Sequence, residues 1–249
     1  MYDGVLAESI MFIGSDMDEV EAYFARPLGP GPYPGVIVLH HSPGYDAVSK
    51  EITRTFAVHG YLAICPNLYW REAPHADPDD AASISQAAGG VPDGRLVGDV
   101  KGAASFLRRL QYSNEKVGVI GYCSGGRQAF LAACSLDLDA AVDCYGAWLT
   151  KGSPEGYPIV VPPIVDMTPQ LSCPLLGLFG QKDIYPTPEE VDELEAALKR
   201  SGKTYEFHRY TDAGHAFFSV NRPFYRVEAA LDGWQRVWKH FEKYLASRV

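Results

Sequence analysis

The chain has 249 residues, 47% hydrophobic and 21% charged, with a formal net charge of -9 at pH 7. The hydrophobic share is enough for a packed core and excludes a disordered chain. Lysines and arginines are scattered singly on an acidic background, which excludes the clustered basic stripe of a nucleic-acid surface.

The opening MYDGVLAESIMFIG lacks the basic start and sustained apolar core of a secretory signal. ESIMFIG (8–14) and EVEAYFARP (19–27) read as a hairpin around SDMD. GVIVLH (35–40) is a buried strand, followed by the turn HSPGYD and a helix through VSKEITRTFAVHG. YLAICP (61–66) is the next strand, and from 67 to 100 the chain is rich in Pro, Asp and Gly, irregular except for a short helix at PDDAASISQAA. The strands KVGVIG (116–121), DAAVDCYG (139–146), PLLGLFG (174–180) and YEFHRY (205–210) follow at intervals that leave room for helices. A second irregular segment, TKGSPEGYPIVVPPIVDMTPQ (150–170), carries five prolines. FYRVEAALDGWQRVWKHFEKYL (224–245) closes the chain as an amphipathic helix whose aromatic residues are core contacts.

Strands alternating with helices predict an α/β fold, a mostly parallel central sheet flanked by helices. No linker or internal repeat divides the chain, so a single domain over 1–249 is expected. No apolar run is long enough to span a bilayer, and a cytoplasmic location is expected. The five cysteines (65, 123, 134, 144 and 173) contain no C-x-x-C pair, and free thiols are expected. Four of them sit in apolar surroundings and read as buried small hydrophobes. Both irregular segments follow strands, on the edge where an open α/β sheet gathers its ligand. Each is either a wall of a site or a plain surface excursion.

The exception among the cysteines is Cys123, in the run Gly121-Tyr122-Cys123-Ser124-Gly125-Gly126. This fits G-x-nucleophile-x-G directly after a strand and before a helix, the setting of a nucleophile elbow. Residues two before and two after the nucleophile crowd each other in so tight a turn, and glycine at both places removes the Cβ. Choosing Ser124 instead would put Tyr122 where a small residue is needed, so Cys123 is the candidate. The Ser124 backbone N–H then points at a developing oxyanion, and the helix N-terminus favours the thiolate. An elbow nucleophile takes an acid and then a histidine in chain order. Asp183, past the strand PLLGLFG, and His215, on the turn after YEFHRY, stand in that order. Asp166 and Asp212 are the other candidate acids, and His59, His75, His208 and His240 fit the base position poorly.

The set GYCSGG, GQKD and AGHAF, with YLAICPNLYWR upstream and YSNEKVGVIGYC leading in, resembles the dienelactone hydrolase family from about residue 9 to 246. The resemblance implies an α/β-hydrolase fold, with Cys123 as nucleophile, His215 as base and Asp183 as its orienter. It also implies oxyanion donors at the Ser124 and Ser42 backbone N–H groups, and neither metal nor organic cofactor. Where the family carries a glutamate facing the resting thiol, this chain has His41, which either pairs with the thiol or only shapes the pocket. The family's carboxylate-holding arginines are not at the matching places; Arg71, Arg95, Arg127 and Arg222 could substitute only by reaching in. The expected pocket is less cationic and more aromatic, with His41, Tyr69, Trp70, Arg71, Tyr145, Trp148 and Phe218 as candidate walls.

The expected function is hydrolysis of a small-molecule ester or lactone through a thioester acyl-enzyme. Carbon–carbon bond hydrolysis or acyl transfer on the same scaffold is the enzymatic alternative. A redox-responsive binding protein built on Cys123 is the alternative from another class. Partners other than a small molecule, whether nucleic acid or membrane, are not expected, and the oligomeric state is open.

Overall fold

In the strand Tyr33–Leu39 the side chains alternate between two layers. Ile37 and Leu39 join one buried cluster, Val36 and Val38 the other, all at 0% exposure. A strand apolar on both faces must be covered on both faces. The computed structural model, which describes residues 4–246, shows how. The first three and last three residues, the ends of the expected 1–249 span and the start of MYDGVLAESIMFIG, lie outside the described residues.

The strands are β1 (Val5–Ile13), β2 (Glu19–Pro27), β3 (Tyr33–Leu39), β4 (Leu62–Pro66), β5 (Ser113–Tyr122), β6 (Ala140–Cys144), β7 (Leu175–Gly180) and β8 (Tyr205–Tyr210). The helices are α1 (Ala47–Val58), α2 (Pro78–Ala87), α3 (Asp93–Arg109), α4 (Ser124–Ser135), α5 (Pro188–Arg200) and α6 (Val227–Leu245). All eight strands form one sheet in the order β1-β2-β4-β3-β5-β6-β7-β8. The β1–β2 and β2–β4 pairs are antiparallel, and every pair from β4 to β8 is parallel. This is the expected α/β-hydrolase arrangement. Buried residues of α3, α4 and α5 pack with one face of the sheet, and those of α1 and α6 with the other. No helix among the described residues is long and apolar enough to cross a membrane.

From β3 the chain steps outward to β4, then returns past β3 to β5 and proceeds the other way. The carboxyl ends of β3 and β5 therefore flank the point where the winding reverses, the usual ligand crevice of an open α/β sheet. The turns after these two strands carry Ser42 and Cys123.

One expectation about the elements needs correction. The stretch to residue 100, read as irregular beyond one short helix, already contains the first two turns of α3. The glycine content suggested a loop, but Gly98 within the stretch and Gly102 just beyond it let α3 lie close against the opening hairpin. A Cβ at Gly102 would sit 2.1 Å from the Ile13 carbonyl oxygen, and one at Gly98 would sit 2.6 Å from the Ser15 side chain.

Candidate active site

β5 ends at Tyr122 and α4 begins at Ser124, so the whole change of direction falls on Cys123. Its backbone sits at φ 57 and ψ -121, a region non-glycine residues rarely occupy. Such strain costs about 1–3 kcal/mol and persists only where surrounding packing enforces it. The packing is backbone against backbone. A Cβ at Gly121 would lie 1.8 Å from the Gly125 carbonyl oxygen, and one at Gly125 would lie 2.3 Å from that of Leu39. Gly125 is therefore pressed against the end of β3, while the expected crowding falls on Gly121. Gly126 makes room for buried Asp143, whose Oδ1 would be 2.3 Å from a Cβ there and accepts the Gly146 N–H at 2.7 Å.

The loops bearing Asp183 and His215 are joined to each other. The Gln181 N–H donates to the Tyr210 carbonyl and the Lys182 N–H to that of Ala213, both at 2.9 Å. Asp183 is 4% exposed, with Oδ1 accepting the Tyr185 N–H at 2.9 Å. Its Oδ2 accepts from His215 Nδ1 at 2.9 Å. With Nδ1 so engaged, the far side of the imidazole meets Cys123, to which it is hydrogen-bonded. Neither Asp166 nor Asp212 takes this place; Asp212 pairs with Lys182 at the surface.

Cys123 is half-buried and the other four cysteines are buried, all five as free thiols. Burial by itself disfavours the Cys123 thiolate. The hydrogen bond and charge of His215 outweigh it, aided by the Ser124 and Ser42 backbone N–H groups, and the thiol titrates below its ordinary value. For His215, burial disfavours the imidazolium, but Asp183 and the thiolate raise its pKa to about 10. Each charge favours the other, so the pair is shifted toward thiolate and imidazolium. The same two amides that face the sulfur are those expected to face an oxyanion.

The Ser42 turn is fixed from two sides. Tyr69 donates its hydroxyl proton to the Ser42 carbonyl at 2.9 Å. His40 accepts the Leu68 N–H on Nε2 at 3.2 Å and meets the His41 carbonyl through Nδ1 at 2.8 Å. Burial lowers the His40 pKa to about 4, so the ring stays neutral and tautomerically fixed.

Of the expected pocket walls, Tyr69 and Trp148 border a cavity of about 340 Å³ that Ser42 and Ser124 also line. The others do not border it. Arg71 is turned away, pairing with Asp99 at 2.9 Å and Asp18 at 2.8 Å, and so fastens α3 to the opening hairpin. Trp70 lies edge-on to His75 at 4.9 Å. His41 Nε2 is held by Asp46 Oδ2 at 2.8 Å, and that carboxylate also caps α1 through the Ser49 N–H. His41 faces a small crevice with Tyr122, Tyr145 and Phe218. Tyr145, 1% exposed, stacks edge-on to His215 at 5.1 Å, and Phe218 packs edge-on to Tyr122 at 5.6 Å.

The cavity's remaining walls come from the two irregular segments. Gln86 and Asp93 belong to the first, and Tyr157 and Val160–Pro162 to the second. Gln86 donates to the Tyr157 hydroxyl at 3.1 Å, tying the segments together. Arg127 and Gln128 complete the wall from α4. The placement of the two segments after strands was the available signal; their individual residues carried none.

The model of the dienelactone hydrolase family matches residues 20–245. The chain belongs to this family. It is 37% identical over 251 residues to a candidate carboxymethylenebutenolidase of Salmonella typhimurium, covering 97% of this chain and 89% of that one. A namesake from Escherichia coli strain K12 is 37% identical over 248 residues at the same coverage. The crystal structure of a candidate dienelactone hydrolase from Klebsiella pneumoniae aligns with a TM-score of 0.86 at 33% identity, over 97% of this chain and 100% of that one. With the dienelactone hydrolase family comes the reaction class, hydrolysis of carboxylic ester or lactone bonds.

Proposed function

We propose that this dienelactone hydrolase family member is a one-domain enzyme that cleaves a small-molecule ester or lactone with Cys123 as nucleophile, His215 as acid and base, and Asp183 as orienter. The observation that carries the reading is the hydrogen-bonded series Asp183, His215, Cys123, ending on a thiol that two backbone amides also face. A lowered thiol pKa would serve a redox-responsive cysteine too, but two backbone amides converging where an oxyanion develops serve acyl transfer.

The Cys123 thiolate attacks the carbonyl carbon, a C–S bond forms, and the π pair moves to oxygen, where the Ser42 and Ser124 N–H groups receive it. Collapse re-forms the carbonyl and expels the alkoxide, which takes the imidazolium proton from His215. His215, now neutral, removes a proton from water as the hydroxide adds to the thioester. The second tetrahedral intermediate expels the thiolate and leaves the carboxylic acid. Asp183 holds the Nδ1 proton throughout and so keeps the reactive nitrogen toward the sulfur.

A panel of chromogenic esters and lactones tests this with wild type, Cys123→Ala and Ser124→Ala. Turnover is expected to vanish with Cys123→Ala and to survive Ser124→Ala, because the serine contributes its backbone. The opposite pattern, or a folded wild type inert on the whole panel, refutes the assignment.

A further inference from the structure

The cavity lies on the Ser42 and Ser124 side of Cys123, and His215 is not among its walls. An ester poised for attack turns its leaving oxygen toward the imidazole that will protonate it. The cavity on the other side therefore receives the acyl portion.

One basic and one acidic residue stand on its wall, Arg127 and Asp93. Arg127 lies one helical turn beyond Cys123 on α4, its side chain 5% exposed. Its Nη1 and Nη2 donate to Asp93 Oδ1 and Oδ2 at 2.8 and 2.9 Å, and Nη2 also donates to the Pro162 carbonyl at 2.8 Å. Nε is buried with no partner among the described residues. The wall thus holds a guanidinium that could anchor an anion, but its fork is filled by a bidentate carboxylate. A second carboxylate brought in on a substrate would lose its hydration and meet Asp93 across the same guanidinium, without a free pair of donors to offset that loss. Three other wall residues hold buried polar atoms unpaired among the described residues: the Ser85 hydroxyl, an acceptor at Gln128 Oε1 and a donor at Trp148 Nε1. All three suit a neutral polar group.

We infer that Asp93 sets the charge preference of the enzyme: by masking Arg127 it makes the acyl cavity a receptor for uncharged acyl groups and closes it to acyl groups that end in a carboxylate. This rests on the reading of the chain as an ester hydrolase with Cys123 as nucleophile.

The test compares 4-nitrophenyl hexanoate with mono-4-nitrophenyl adipate, whose acyl chains have the same carbon count and differ in the terminal carboxylate. The wild type is expected to favour hexanoate at least tenfold in kcat/KM. Asp93→Asn is expected to shift that ratio at least tenfold toward adipate, through a lower KM for adipate, and Asp93→Asn with Arg127→Gln to reverse the shift. Asp93→Ser serves where Asp93→Asn does not fold, and the wild-type ratio tests the charge preference without either. A wild type that accepts adipate as well as hexanoate overturns the inference. So does a folded Asp93 variant that keeps the wild-type ratio, which would leave the ion pair as a fastening of the Pro162 segment alone. A folded wild type inert on both esters instead overturns the ester-hydrolase reading, and this inference with it.

Discussion

Replacing Gly125 with alanine puts one methyl group where the fold has no room. The new Cβ would stand 2.3 Å from the Leu39 carbonyl oxygen and 2.7 Å from that of His40, both backbone atoms at the end of β3. An ordinary carbon–oxygen contact is at least 3.0 Å, so α4 and the end of β3 must separate by roughly 1 Å, and neither partner is a side chain that could swing aside. Overpacking of this kind costs about 1–3 kcal/mol. The end of β3 leads into the Ser42 turn, so the displacement moves one of the two amides facing the sulfur. Losing one oxyanion donor costs about 10²–10³ in rate. The expected variant is folded, with a lower melting temperature and turnover reduced about a hundredfold. Its alkylation by iodoacetamide should persist, because His215 reaches the sulfur from the opposite loops. The assay is kcat for a chromogenic ester beside the second-order alkylation rate. A folded Gly125→Ala with wild-type turnover would refute the claim that this contact sets the oxyanion geometry.

Asp183→Asn removes the anion that, with the thiolate, holds His215 protonated to about pH 10. The alkylation midpoint of Cys123 should rise and kcat fall by roughly 10²–10⁴, on the scale of losing an orienter and a positioned acid–base group. Asp46→Ala removes the α1 cap and the His41 partner, and should lower stability by about 1 kcal/mol in urea unfolding. It should leave the Cys123 alkylation profile in place, because the thiolate is set by His215. A shifted profile would return His41 to the thiol. His40 and His240 are buried, and burial lowers each pKa to about 4 from 6.5. The unfolded chain takes up these protons first as pH falls. Stability is therefore complete above about pH 6.5 and declines toward pH 4, by up to about 3 kcal/mol per group. Urea unfolding across that window should show the decline, with a shallower slope in His40→Gln.

The elbow and its partners were legible because their signals are local. Gly121 and Gly125 exist for a steric reason that spacing alone expresses, and Asp183 and His215 follow strands in a fixed order. α3 was only half legible, because Gly98 and Gly102 look like loop residues until the hairpin that lies on them is known. The cavity beside Ser42 and Ser124 was legible as two segments but not as residues. Which side chains face it depends on how α2 and the Tyr157 segment fold over Ser42, a tertiary outcome with no periodic trace. Neighbours in sequence diverge for the same reason. Within Leu68-Tyr69-Trp70-Arg71, Tyr69 reaches the Ser42 carbonyl, whereas Arg71 reaches back to Asp18 and Asp99. His40, which anchors the turn that carries Ser42, was hidden inside an apolar strand pattern.

In the proposed mechanism the thiol of Cys123 carries the acyl group during turnover. The direct measurement is mass spectrometry of protein quenched with acid while it turns over a 4-nitrophenyl ester, followed by peptide mapping. The expected result is the acyl mass on the peptide containing Cys123, bound to sulfur and released by hydroxylamine, and absent from Cys123→Ala. An acyl group on Ser124, or steady turnover by Cys123→Ala, would contradict it.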